Sequence, residues 1–83
     1  MKITVRYFAS IREATGQGSE AVETAATTLG ALRDELIARG GAHASSLARG
    51  RAVRMALNQT LSDESATLAD GAEVAFFPPV TGG

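Results

Sequence analysis

The residues best suited to chemistry in this sequence are its last eight, FFPPVTGG, which end at Gly83. Pro78 and Pro79 fix φ near −65° and have no N–H to donate, so they end a strand and stiffen the chain that leaves it. The four residues after them span roughly 13–14 Å when extended, which is enough to enter a deep pocket on another protein. Because glycine has no Cβ, we expect Gly82 and Gly83 to pass a narrow channel and to leave the carboxylate of Gly83 open to reaction.

The other polar residues give no second candidate for catalysis. His43 is the only histidine, and it lies in a connector rich in Gly, Ala and Ser with no acidic residue indicated to orient it. The sequence has no cysteine, which excludes disulfides and metal–thiolate sites, and we expect no metal site. Asp63, Glu64 and Asp70 fit turn positions.

A small basic cluster admits two interpretations. Its members are Arg49, Arg51 and Arg54. They are either solvated surface charges or contacts at the rim of a partner interface, and the sequence leaves both open.

Length and composition limit the class of protein. Eighty-three residues with 45% hydrophobic content predict one domain over residues 1–83, with 78–83 as an extended tail. A net charge of −1 without a strongly basic run argues against nucleic acid as a partner. No apolar stretch approaches the roughly 20 residues that span a bilayer, and the start of the chain alternates too strongly for a signal peptide. We therefore expect a cytoplasmic protein with no membrane partner.

Hydrophobic periodicity in the first half of the chain predicts a hairpin followed by a helix. Residues 2–8 alternate as a strand with one buried face, and residues 19–27 form a weaker strand after the GQG turn. From Thr27 or Thr28, either of which can cap a helix, Leu residues recur at helical spacing until Gly40 and Gly41 end the pattern. Within that helix Glu35 and Arg39 have the spacing of an ion pair.

The second half of the chain returns to strands. Residues 51–58 alternate, NQT is a turn, Leu61 begins a short strand, and residues 74–77 form the last strand after an Asp-Gly turn. A short helical turn is expected near residues 44–47. The order is that of an α+β roll of the β-grasp, ubiquitin-like type. It has a mixed sheet of four to five strands, one main helix on one face, and the first and last strands as central neighbours.

Apolar residues also occur on the sheet face that the helix leaves uncovered. Phe8 alternates against the core residues of the first strand, and Phe77 alternates against those of the last. Leu61, just after a turn, is placed to join them. Three large apolar residues near the exit of the tail predict an interaction patch.

Two blocks of this sequence resemble a known family. ALNQTL followed by LADGAEVAFFPPVTGG, together with VRYFASIRE near the start, closely resembles the sulfur-carrier (small) subunits of molybdopterin synthase. The resemblance spans essentially the full chain, and residues 19–50 match mainly in pattern.

The resemblance implies a specific chemistry. An activating enzyme similar to ubiquitin E1 adenylates the Gly83 carboxylate with Mg-ATP, and a sulfur donor converts it to a thiocarboxylate (1-thioglycine). The tail then enters the large synthase subunit, within a heterotetramer of two small and two large subunits, and gives its sulfur to precursor Z (cyclic pyranopterin monophosphate). The chain is thus expected to be non-catalytic alone and to bind no cofactor itself.

Family positions carry over to seven residues of this sequence. The inserted tail comprises Val80, Thr81, Gly82 and Gly83, and the face toward the partners comprises Phe8, Leu61 and Phe77. Three alternatives stay open: a thiamine-type sulfur carrier, a ubiquitin-like protein modifier, and a β-grasp interaction module with an inert tail.

Overall fold

The computed structural model describes residues 1–79, which form a five-stranded mixed sheet with helices against one face. The strands are β1 (Lys2–Tyr7), β2 (Ser19–Glu23), β3 (Arg54–Leu57), β4 (Thr60–Ser62) and β5 (Glu73–Phe77). The helices are α1 (Ala9–Thr15), α2 (Leu29–Ala38) and α3 (Gly41–Leu47). None of these helices has the length and apolar character needed to cross a membrane.

The strand order across the sheet is β2-β1-β5-β3-β4. β1 and β5 run parallel, with Val5 opposite Val74 and Tyr7 opposite Phe76, and every other neighbouring pair is antiparallel. The predicted placement of the first and last strands side by side is therefore confirmed, and so is the α+β, β-grasp fold class.

One hydrophobic core lies between the sheet and the helices. Alternate residues of β1 and β5 point into it, because successive side chains of a strand face opposite sides. The longest helix, α2, contributes leucines from one stripe. The fully buried core side chains are Ile3, Val5, Tyr7, Leu29, Leu32, Leu36, Leu47, Val74 and Phe76. Burial of this apolar surface is the main force that holds the helices on this face.

Helix α2 begins and packs for reasons that its sequence shows only in part. The Thr28 hydroxyl accepts a hydrogen bond from the Ala31 N–H at 3.2 Å, as predicted for a cap. Gly30 donates its N–H to the Glu64 carbonyl at 3.0 Å, and a Cβ at this position would lie 3.2 Å from that same oxygen. Glycine is thus favoured here by the close approach of another segment.

The structure corrects four details of the sequence prediction. Helix α1 was not expected, because it is seven residues long and buries only Ile11, so no apolar repeat marks it. The expected turn at 44–47 is the second half of the longer helix α3, and β2 ends at Glu23 rather than near residue 27. The predicted Glu35–Arg39 pair is wrong, because Arg39 instead binds Glu20 on β2.

Candidate functional site

The face of the sheet opposite the helices carries two rows of side chains near the end of β5. Residues paired directly across neighbouring strands share a face. The register places Arg6, Ala75, Ala56 and Leu61 in one row, on β1, β5, β3 and β4. In the next row Phe77 lies opposite Arg54. We call this surface the open face.

Phe8 extends the second row beyond the end of β1. It keeps an extended backbone, with φ −127° and ψ 154°, and its N–H donates to the Phe76 carbonyl at 3.2 Å. Ala9 then turns the chain into α1 with φ 51°, a left-handed conformation that costs a non-glycine residue about 1–2 kcal/mol. This turn leaves the Phe8 side chain 40% exposed on the open face.

A groove of about 770 Å³ opens between these side chains. Its lining comprises Arg6, Phe8, Ala9, Gln59, Glu73, Ala75, Phe77, Pro78 and Pro79. Two phenylalanine and two proline rings line it, together with Ala9 and Ala75. Since Pro78 and Pro79 are part of the wall, the groove lies at the root of the C-terminal tail.

Two charged side chains occupy the same groove. The Arg6 guanidinium carbon lies 5.5 Å from the centroid of the Phe8 ring, within the range of a cation–π contact. One guanidinium nitrogen of Arg6 is 3.7 Å from a carboxylate oxygen of Glu73. The groove therefore combines apolar rings with a guanidinium that stays partly exposed.

The predicted contact residues share the open face but not one depression. Phe8 and Phe77 line the same groove. Leu61 is 63% exposed and lies two strands from β5, roughly 10 Å away, in a separate depression with Val53 and Arg54. The predicted common face is confirmed, and contact with a partner stays a prediction. The predicted tail residues Val80, Thr81, Gly82 and Gly83 lie outside the described residues.

His43 belongs to a structural network that the sequence did not indicate. Glu20 accepts hydrogen bonds from Tyr7 at 2.6 Å and from Arg39 at 2.7 Å, and the His43 Nε2 lies 3.0 Å from it. Burial acts to raise the pKa of Glu20, but the hydrogen bonds from Arg39, Tyr7 and His43 outweigh it and lower the pKa to about 2. Burial and the Glu20 hydrogen bond raise the pKa of Tyr7. The one available signal was Tyr7 itself, since a buried hydroxyl needs a partner.

A second ionic network ties α2 to the end of α3 and to the segments that follow α3 and β4. Buried Arg33 donates to the carbonyls of Leu47 and Ala48 at 2.7 and 3.0 Å and to Glu64 at 3.1 Å. Arg49 also binds Glu64, and its hydrogen bond lowers the pKa of that carboxyl against the opposing effect of burial. Glu64 is thus an ion-pair residue as well as a turn residue. Within residues 1–79, no three His, Asp or Glu side chains are grouped to hold a metal ion.

The three members of the basic cluster have separate environments. Arg49 pairs with Asp34 at 2.8 Å as well as with Glu64. Arg51 donates to the Ser45 carbonyl at 3.1 Å. Arg54 lies on the open face beside Phe77. Only Arg54 is therefore placed at the groove-bearing surface.

Known proteins are similar to this chain in both sequence and fold. The "Molybdopterin synthase sulfur carrier subunit" of Escherichia coli is 43% identical over 81 residues, which cover 98% of this chain and 99% of that protein. A chain in the complex of subunits 1 and 2 of molybdopterin-converting factor from Helicobacter pylori superposes with a TM-score of 0.71 at 28% identity, with full coverage of both chains. SAMP1 from Haloferax volcanii, a small archaeal modifier protein, superposes with a TM-score of 0.79 at 25% identity, again with full coverage.

A sequence model of the ThiS family matches residues 5–83. The matched range includes the groove residues from Arg6 to Pro79 and the four positions that follow them. The chain belongs to the ThiS family.

Proposed function

We propose that this chain is a sulfur carrier in molybdenum cofactor biosynthesis and acts as the small subunit of a molybdopterin synthase. The observation that carries the proposal is its 43% identity, over 98% of the chain, to the E. coli protein with that name. The groove at the tail root supports it, because a carrier that hands over a reactive terminus must first dock next to that terminus.

In this proposal the reactive group is the carboxylate of Gly83. A carboxylate is a poor electrophile, so it first attacks the α-phosphate of ATP and displaces pyrophosphate, which leaves an acyl-adenylate. A sulfur donor then displaces AMP and leaves a thiocarboxylate, whose sulfur passes to precursor Z. ATP and Mg²⁺ are bound by the activating enzyme, and the chain binds no cofactor of its own.

The proposed partners are the large synthase subunit, in a heterotetramer of two small and two large subunits, and an E1-like activating enzyme. The H. pylori complex of subunits 1 and 2 supports the first of these. Phe8, Phe77 and Leu61 are the proposed contact residues, because they are the large apolar side chains of the open face. Residues 80–83 are the proposed inserted segment.

Intact-mass measurement tests the chemistry directly. The protein is incubated with an E1-like activating enzyme, Mg-ATP and a sulfur donor, beside a variant that lacks Gly83. We expect a mass shift that matches one oxygen-to-sulfur replacement at the C-terminus of the full chain only. Conversion of precursor Z by the product, with the large subunit present, distinguishes this pathway from a thiamine-type carrier. An unchanged mass with an activating enzyme proven on a related carrier would rule the proposal out.

A protein modifier is the second candidate, favoured by the superposition on SAMP1. Its chemistry begins with the same acyl-adenylate but ends in an amide bond to a lysine of another protein. Higher-mass conjugates that disappear when Gly83 is deleted, in place of a thiocarboxylate, would favour this candidate.

A further inference from the structure

Two arginines stand at opposite corners of the apolar patch on the open face. Arg6 begins the row that continues through Ala75 and Ala56 to Leu61. Arg54 is the cross-strand neighbour of Phe77 in the next row. The patch of aromatic, alanine and leucine side chains is thus bracketed by two guanidinium groups.

The Arg54 guanidinium forms no salt bridge within the described part of the chain, although Asp63 and Glu64 line the same depression. No carboxylate of residues 1–79 lies within 4.0 Å of this guanidinium, whereas Arg33, Arg39 and Arg49 each have a partner at close range. Its side chain is exposed to solvent. The exposed Arg54 guanidinium is therefore available to bind a polar or charged group of another molecule.

The charge of Arg6 is only weakly compensated by a carboxylate of the same chain. Its nearest carboxylate, on Glu73, is 3.7 Å away, and both side chains remain partly exposed, at 46% and 32%. Ion pairs with this exposure contribute little energy, since water and salt screen them. Stacking of Arg6 on Phe8 nevertheless holds its guanidinium at the mouth of the groove.

We propose that Arg6 and Arg54 recognise carboxylates on the protein that covers the groove. The inference rests on the proposed function, so the occupant is the large synthase subunit, with an apolar centre against Phe8 and Phe77 and acidic side chains opposite the two arginines. Continuity with the tail supports a protein occupant, because Pro78 and Pro79 form one wall of the same groove. Arginines around buried aromatic residues are also the composition typical of protein interfaces.

Charges at the rim of an interface act mainly on the rate of association and on its dependence on salt. The test is the binding of the full chain to its own large subunit, measured by surface plasmon resonance at about 50 and 500 mM salt, where screening lengths differ severalfold. We expect the wild-type association rate to fall at high salt. We expect Arg54→Glu to weaken binding about tenfold at low salt, with a smaller loss for Arg6→Glu, whose charge is shared with Glu73.

Lys2→Glu is the matched control, because it makes the same change of charge on an exposed residue at the far end of β1. We expect it to bind within about twofold of wild type, since its distance from the groove is near the screening length. Arg54→Gln removes the charge without reversing it and keeps the test informative if the glutamate variant fails to fold. Arg54→Lys should retain most of the affinity.

The outcomes separate this inference from the proposed function. Salt-independent binding, or equal losses in Arg54→Glu and Lys2→Glu, would overturn the role of the arginines while the carrier function stands. Absence of any binding of the wild-type chain to the large subunit, at either salt concentration, would overturn both.

Discussion

Two adjacent phenylalanines of β5 point to opposite sides of the sheet, so their substitution should affect different properties. Loss of one should lower the stability of the fold, and loss of the other should weaken partner binding. Phe76 is fully buried, and its ring stacks on Tyr7 with centroids 6.3 Å apart. We expect Phe76→Ala to cost about 3–5 kcal/mol, enough to unfold much of a marginally stable domain. We expect Phe77→Ala to cost less than about 1.5 kcal/mol in folding and to weaken partner binding at least about tenfold. Chemical denaturation and a binding titration measure the two effects, and an unchanged affinity of Phe77→Ala would remove the groove from the docking surface.

Glu20 should make the stability of the fold sensitive to acid. Its folded-state pKa of about 2 is below the ordinary value of 4.5, so its contribution is present above pH 4.5 and is lost as the pH falls toward 2. We expect Glu20→Gln to lose about 1–2 kcal/mol at neutral pH, less than the full linkage value because solvent screens part of the interaction. Between pH 4.5 and 2 its stability should change less with pH than that of the wild type. Urea unfolding across this range is the measurement.

Glu23→Gln provides the comparison on the same strand. Glu23 is 74% exposed, and its nearest cation, the N-terminal amine, is 4.0 Å away. We expect its pH profile to follow the wild type. Parallel profiles for Glu20→Gln and the wild type would show that ionisation of Glu20 adds no stability in this pH range.

At the scale of elements, the first turn of α2 packs closely against Glu64 because Gly30 has no side chain. A Cβ at Gly30 would lie 2.9 Å from the Glu64 carboxylate and 3.2 Å from its carbonyl. Alanine improves helix propensity by about 1 kcal/mol, but overpacking costs about 1–3 kcal/mol. Displacement of Glu64 would also disturb its contacts with Arg33 and Arg49. We therefore expect Gly30→Ala to lower the free energy of unfolding by about 1–2 kcal/mol.

Gly50→Ala is the control for this substitution, because nothing lies within 4 Å of a Cβ built there. We expect its stability to stay within about 0.5 kcal/mol of wild type. Thermal and urea denaturation of both variants give the comparison. A stabilised Gly30→Ala would mean that the 64–66 segment moves away at little cost.

Elements with a repeated apolar period could be predicted from the sequence, and elements held by single contacts could not. β1, β5 and α2 each repeat their buried positions, and all three were found. Helix α1 has one buried residue and depends on the left-handed turn at Ala9, a conformation that no residue type at that position indicates. The shared face of Phe8 and Phe77 followed from strand alternation. The groove also needs the register that brings Arg6 beside Ala75, which is a tertiary property.

At the scale of the whole molecule, the core and the docking surface use opposite faces of one sheet. The core residues come from positions 3 to 76 of the sequence, and their side chains point to the side of the sheet that the helices cover. The groove residues come from positions 6 to 79, and they lie on the opposite side of the sheet. Because a strand alternates its side chains, one backbone can serve a stable core and a partner surface with little interference between them. Fold stability and partner binding should therefore be separable by mutation.

Deletion of Gly83 should separate binding from sulfur transfer. The lining residues that the structure describes all fall within residues 6–79, so the deleted chain keeps them. We expect it to fold with an unchanged midpoint of thermal unfolding and to inhibit conversion of precursor Z competitively against the thiocarboxylated wild type. Its inhibition constant should be within about tenfold of the wild-type dissociation constant, since most interface energy lies in a few buried anchors. The deletion combined with Phe77→Ala is the control, and its inhibition constant should be at least about tenfold higher than that of the deletion alone. A deleted chain that folds but fails to compete would place most of the binding energy in the terminal residue, and the open face would then be a minor contact.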